Sequence, residues 1–233
     1  MLKAVLGCPY SYFFGCRGAK KLGPIRSVLL DKLMPRLEID INLASPLDLK
    51  DLFFDSVKEV WCEIGFGSGD HVIDLLTQRS DIGIVCIEPF ISGMGNLVSM
   101  IHQRGMCGRV RLYCDNAIKL IKWMPSCSLN RIYLLYPDPW PKRRHWKRRI
   151  ISQGNLKCMS RVLSVGCELR FVSDCSSYVN WTLAHLLACR DFYWTAQTSS
   201  DWEMPWHGWR GTRYETKAIQ QGRRPTYIIS RKV

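Results

Sequence analysis

Apolar and polar positions alternate between two periods through the middle of this chain. Val60–Ile64 is a short apolar run, and Ile82–Ile87 is another. Arg109–Tyr113, Arg131–Tyr136 and Glu168–Ser173 repeat the pattern. Runs of this length, rich in Val, Ile and Leu, predict strands. Between them, Asp70–Arg79, Gly93–Gln103, Ala117–Trp123, Arg148–Arg161 and Ser177–Cys189 carry helical spacing. Near-continuous apolar strands alternating with helices predict a parallel sheet covered on both faces. Strand-like segments at Phe192–Ala196 and Thr226–Ile229 follow, separated by a loop rich in Trp and Gly.

The flanks are less regular. A short helix is predicted over Ile25–Leu37, and residues 40–57 show no clear period. No internal repeat or linker interrupts the chain. The expected organisation is a basic N-terminal extension with a short helix (residues 1–40), then one α/β domain (41–233).

Composition adds a constraint on partners. The 233 residues hold 33 Lys+Arg against 20 Asp+Glu, a surplus of +13. A hydrophobic fraction of 47% fills a core, which excludes disorder as the main state. The surplus points to a polyanion partner. Part of it lies at Arg17, Lys20, Lys21 and Arg26, as an arm for a polyanion or a frayed tail. The 11 cysteines are odd in number, form no CxxC pair and lie partly inside apolar runs. They read as free thiols of a cytoplasmic protein, with no metal site. The apolar start, broken by Pro9, reads as an ordinary terminus, and no run is long enough to span a membrane.

Candidate chemistry begins at Glu63-Ile64-Gly65-Phe66-Gly67-Ser68-Gly69, between the first strand and its helix. Gly65, Gly67 and Gly69 permit a tight turn and close backbone approach. The helix start adds amide hydrogens and positive potential. Glu88 ends the next strand, where a carboxylate can accept both hydroxyls of a ribose diol. Glu63 sits badly beside a pyrophosphate but suits a cationic or zwitterionic ligand such as S-adenosylmethionine. Alternatively, Glu63 faces solvent and the glycines only make a turn. Asn116, after the third strand, either contacts an adenine ring or caps the helix at Ala117, as Asp115 also can.

Tyr136-Pro137-Asp138-Pro139-Trp140-Pro141 is the most unusual stretch. Prolines on both sides of Asp138 stiffen the loop and preorganise the acid, unless the segment is a plain rigid turn. Lys142, Arg143, Arg144, Lys147, Arg148 and Arg149 follow within eight residues. They form either a solvated charge run or a phosphate-contacting surface, with His145 and Trp146 as part of it. Asp174 lies after the fifth strand. Thr212 and Glu215 have capping-box spacing. Trp202, Trp206 and Trp209 either pack down or touch a substrate.

Together, EIGFGSG (63–69), Ile87-Glu88, Asp115-Asn116-Ala117, YPDPWPKRRHWKRR (136–149), Ser173-Asp174 and TRYE (212–215) resemble the bacterial tRNA (guanine-N7)-methyltransferase family. The proline-rich element with its basic run is highly specific, whereas the glycine turn is shared by many methyltransferases. The resemblance covers about residues 15–230. It implies a Rossmann-like class I methyltransferase with a mostly parallel seven-stranded sheet and helices on both faces. It implies transfer of a methyl group from S-adenosylmethionine to N7 of a guanine in the tRNA variable loop, position 46 in tRNA numbering.

By the same resemblance, Glu63, Gly65, Gly67, Gly69, Glu88, Asn116 and Asp138 bind the cofactor, and Asp138 is catalytic. Lys142, Asp174, Thr212, Arg213, Tyr214 and Glu215 fall on the guanosine side. Arg143, Arg144, Lys147, Arg148 and Arg149 face the tRNA backbone. Asn116 stands where the family often has Asp, and Arg213 where it often has Lys or Glu. Monomers and homodimers both occur in the family, and no obligate protein partner is implied. Guanine N7 carries a lone pair and no proton, so in-line displacement needs positioning rather than a strong base. A nicotinamide-dependent dehydrogenase shares the strand, turn and acid, but fits Glu63 and the basic run poorly. A non-enzymatic RNA-binding domain explains the charge but not the acids at successive strand ends.

Overall fold

The computed structural model describes residues 22–233, so most of the basic arm lies outside the described residues. The chain forms two compact units, the first ending at Trp123 and the second running from Met124 to Val233.

The first unit holds strands β1 (Glu59–Ile64), β2 (Ile82–Ile87) and β3 (Val110–Tyr113). It also holds helices α1 (Pro24–Leu37), α2 (Asp70–Gln78), α3 (Ile91–Gln103) and α4 (Ala117–Trp123). β1 pairs with β2 and β2 with β3, both in parallel register. Every residue of β2 is buried, so both of its faces are covered. Helix α1 begins with Pro24 in its first turn, where a missing amide hydrogen costs nothing. It buries Leu30, Met34 and Leu37 and packs against α3. The Ile39 amide then donates to the Leu112 carbonyl at 2.8 Å, extending the edge at β3.

The second unit holds β4 (Leu129–Leu135), β5 (Leu163–Ser173), β6 (Phe192–Trp194) and β7 (Thr226–Lys232). Its helices are α5 (Gln153–Val162), α6 (Ser176–Leu187), the single turn α7 (Ser200–Glu203) and α8 (Arg213–Gln220). β4 and β5 are parallel, while β7 runs antiparallel to both β5 and β6. The strands follow the order β3-β2-β1 within the first unit and β4-β5-β7-β6 within the second. The mostly parallel α/β architecture expected from the hydrophobic pattern is present.

Three elements differ from the pattern's prediction. The helix expected from Arg148 starts at Gln153, capped by Ser152, whose hydroxyl accepts from the Asn155 amide. The preceding basic run winds as a 3-10 turn over Arg143–Arg148 instead. β5 starts at Leu163 rather than Glu168; it includes Gly166 in the left-handed region, and its pairing with β4 shifts after Leu129. Helix α8 falls within the loop expected between the last two strands, and its buried positions are Glu215 and Ala218.

Candidate active site

In the first unit, the chain leaves β1 through a turn in which Gly65, Gly67 and Gly69 have φ of +76°, +58° and +88°. L side chains rarely adopt these values, which is why glycine recurs at every second position. The Gly65 amide donates to the Ile87 carbonyl at 2.7 Å, tying the turn to the end of β2. A Cβ on Gly69 would meet Leu97 Cδ1 at 2.9 Å, whereas one on Gly65 would meet nothing within 4 Å. The turn is therefore packed on its helix side and open above Gly65.

Glu88 is buried, and its carboxylate is held by two backbone amides. Gly67 N–H donates to Oε2 at 2.9 Å, and Phe90 N–H to Oε1 at 3.2 Å. A carboxylate offers about four acceptor sites, two of which these amides use. Gly93, in the first turn of α3, completes this arrangement: a Cβ there would overlap the Gly67 carbonyl oxygen. Gly93→Ala is expected to destabilise the protein by roughly 1–3 kcal/mol. A chemical denaturation midpoint equal to wild type would show that the turn moves aside freely.

Glu63 does not face solvent. It is 2% exposed, and its Oε2 lies 2.6 Å from His71 Nδ1 in α2. His71 forms no metal-ligand spacing in sequence, and its pairing with Glu63 arises where the turn folds α2 back along β1. Asn116 fulfils the capping alternative: its Oδ1 accepts from the Ile118 amide at 2.9 Å. Asp115 pairs with Lys119 at 2.7 Å, one helical turn on.

In the second unit, Pro137-Asp138-Pro139 is bracketed by Tyr136 at φ +50° and Trp140 at φ +46°. Two non-glycine residues in the left-handed region store backbone strain around the acid. The Tyr136 amide still donates to the Val172 carbonyl at 2.8 Å, so the loop departs from an anchored strand end. Asp138 is exposed on one side and makes no hydrogen bond or ion pair among the described residues. The protein packed behind it desolvates the carboxyl and raises its pKa.

The basic run divides by burial. Lys142, Arg143, Arg144 and Lys147 are exposed. Arg148 is half-buried, with its guanidinium 4.9 Å from the centre of the Trp140 ring. Desolvation, with Arg148, Arg144, Lys142 and Lys147 nearby, lowers the His145 pKa and favours the neutral ring. Arg149 corrects the expectation of a phosphate contact, because it is only 2% exposed. Its Nε donates to the Pro139 carbonyl at 2.9 Å, its Nη1 to the Ser177 carbonyl and its Nη2 to the Ser177 hydroxyl, both at 3.0 Å. The rings of Trp146, Tyr178 and Trp181 lie 4.6, 4.7 and 5.4 Å from its guanidinium carbon. It is an internal brace of the Asp138 loop.

Asp174 forms an ion pair with Arg223 at 2.6 Å, which sequence spacing did not reveal. The Thr212 hydroxyl caps α8 by accepting from the Glu215 amide at 3.1 Å. Glu215 does not complete a reciprocal capping box. Its buried carboxylate accepts from Trp209 Nε1 at 2.7 Å and from the Tyr227 hydroxyl at 2.5 Å. Arg213 and Tyr214 are exposed, and the Tyr214 ring lies nearly parallel to that of Tyr136 at 6.3 Å. Trp206 and Trp209 pack against Tyr227, and Trp202 against Trp194, so all three tryptophans of this loop pack on neighbouring rings. Among the described residues, no cluster suited to a metal ion occurs. No described helix is long and apolar enough to cross a membrane.

The fold is shared with an rRNA methylase from Streptococcus thermophilus, at TM-score 0.51 and 12% identity, covering 92% of this chain and 99% of that one. It is also shared with the geranyl diphosphate C-methyltransferase of Streptomyces coelicolor A3(2), at TM-score 0.52 and 12% identity, over 89% and 76% of the two chains. A family model described as "Putative methyltransferase" matches residues 57–227. The sheet, the glycine turn and the acid at the end of β2 thus define a class I methyltransferase. The chain is 45% identical over 219 residues to the tRNA (guanine-N(7)-)-methyltransferase of Chelativorans sp. (strain BNC1), covering 93% of each chain. It is 47% identical over 217 residues to that of Bartonella henselae, again over 93% of each. The chain belongs to the tRNA (guanine-N7)-methyltransferase family.

Proposed function

We propose that this protein transfers a methyl group from S-adenosylmethionine to N7 of a guanine in the variable loop of tRNA, at position 46. The observation that carries this reading is Asp138: an acid without a partner among the described residues, on a loop strained at both ends, directly followed by an exposed cationic run. The residues of the first unit fit the methyl donor. The open space above Gly65 admits it, Glu88 is oriented to accept from a ribose diol, and Glu63 offers a carboxylate for an ammonium group. Asn116 contributes through its amide nitrogen, since its oxygen caps α4. The donor supplies a methyl group on a sulfonium, activated for displacement by a lone pair.

The residues of this chain then position rather than ionise the nucleophile. Guanine N7 needs no proton removed, so Asp138 acts by orienting the guanine edge and balancing developing charge. Asp174 and Glu215 accept from guanine N1–H and N2–H, each using acceptor sites beyond those already occupied. The domain reading is that residues 41–233 form the catalytic domain and residues 1–40 supply further substrate contacts. A tRNA substrate, and the free cysteines among the described residues, support a cytoplasmic location.

Labelled-methyl transfer to unmodified tRNA, followed by mapping of the modified base, tests the assignment. A label found elsewhere than guanine N7 overturns it. Arg143, Arg144 and Lys147 carry the phosphate contacts. Changing all three to Gln is expected to reduce the slope of log affinity against log salt by roughly 2–3, or about 0.7–0.9 per lost contact. An unchanged slope in a tRNA-binding titration would make the run a solvated surface only.

A further inference from the structure

We propose that Tyr136 is a specificity-determining residue whose hydroxyl donates to guanine O6. The proposal rests on the reading that Asp174 and Glu215 accept from the same base. Tyr136 follows β4 immediately, and its backbone stays in the sheet through the bond to Val172. Its hydroxyl is buried and has no hydrogen-bond partner among the described residues. Buried hydroxyls in folded proteins are almost always paired, and leaving one unpaired costs about 1–3 kcal/mol. A tyrosine retained at that cost, when a phenylalanine would fill the same space, points to a partner that arrives with substrate.

The neighbouring groups define that partner. Tyr227 and Trp209 donate to Glu215, and Arg223 donates to Asp174. Beside them, the buried Tyr136 hydroxyl has no bond among the described residues. Burial, with the Glu215, Tyr227 and Asp174 groups nearby, raises its pKa, so the phenol keeps its proton and acts as a donor. Two carboxylate acceptors beside one hydroxyl donor match the guanine edge, which presents N1–H and N2–H beside the O6 acceptor. Adenine presents the opposite order, an amino donor at position 6 and an acceptor at N1. The Tyr214 ring, which stacks on Tyr136, is largely exposed and can shift as the base enters without opening the core. A donor at O6 also leaves the N7 lone pair available.

The test is a Tyr136→Phe variant assayed on two substrates. One is unmodified tRNA. The other carries 6-thioguanine at the target nucleotide, which keeps N1–H, N2–H and N7 but replaces O6 with a poorer acceptor. On unmodified tRNA, the variant is expected to lose about tenfold in kcat/KM, the value of one hydrogen bond. On the thio-substituted tRNA, the gap between wild type and variant should shrink to within about twofold. Affinity for S-adenosylmethionine and the denaturation midpoint should stay at wild-type values or rise, since the variant loses only an unpaired hydroxyl. Equal activity of the two proteins on unmodified tRNA, or the same loss on both substrates, overturns the proposal. So does a lower denaturation midpoint, which would mean that the hydroxyl is bonded within the folded protein. If wild type itself fails to methylate guanine N7, the functional reading fails before this inference is tested.

Discussion

Asp138→Ala should lower methyl transfer to tRNA by about 100-fold or more, with the fold intact. The acid has no partner among the described residues, so its removal leaves none of them unpaired. The strain stored at Tyr136 and Trp140 is instead directed at holding it in place. Burial raises its carboxyl pKa, so a proton binds Asp138 more tightly in the folded than in the unfolded chain. Its contribution to stability is therefore fully present below the unfolded pKa and disappears as pH rises through the higher folded value. At neutral pH the ionised acid is a stability cost, and Asp138→Asn should be at least as stable as wild type there. The same shift moves the acidic limb of the wild-type rate profile to higher pH, because the working form is ionised. Single-turnover rates with a thermal melt at pH 7 check both halves. Full-rate methylation by the Ala variant would remove Asp138 from the centre of the mechanism.

The second large effect is expected at Arg149. Arg149→Met keeps an unbranched apolar stem against Trp146, Tyr178 and Trp181 but deletes every donor. The Pro139 and Ser177 carbonyls and the Ser177 hydroxyl then lose this donor. Lost bonds to a charged donor are worth about 1.5–3 kcal/mol each in mutational series, partly offset here by removal of a buried cation with no carboxylate beside it. The net expectation is a loss of about 2 kcal/mol in unfolding free energy. With the Pro139 carbonyl released, Asp138 is no longer held, so kcat should fall even at temperatures where the variant is fully folded. A fall in tRNA affinity with a proportionate loss of salt dependence, at unchanged stability, would restore Arg149 to the phosphate-contacting group.

Arg149 also shows where a sequence stops being legible. Within Lys142–Arg149, six cations look equivalent, because each has the same charge and nothing in the local pattern distinguishes inward from outward. Burial separates them: four are open to solvent, Arg148 stacks on Trp140, and Arg149 points inward to Ser177 at the start of α6. Glu63 is similar. Its place before the glycine turn marks it as unusual, but only the fold supplies His71 and makes it a buried, oriented carboxylate. At Glu215 the capping spacing with Thr212 is visible in sequence, whereas Trp209 and Tyr227 reach it from other elements.

The amino-acid sequence by itself determined the alternation of strands and helices, the glycine turn, the acids at strand ends and the proline-stiffened Asp138. Each depends on local rules: side-chain period, glycine's access to positive φ, and proline's restriction of its neighbours. The tertiary structure decided which polar groups are already satisfied and which await a ligand. Glu88 is aimed by Gly67, Asn116 is spent partly on a cap, Arg149 braces a loop, and the Tyr136 hydroxyl is buried without a bond. Hydrogen-bond partners and burial join residues far apart in the chain, so they exist only once the sheet has assembled.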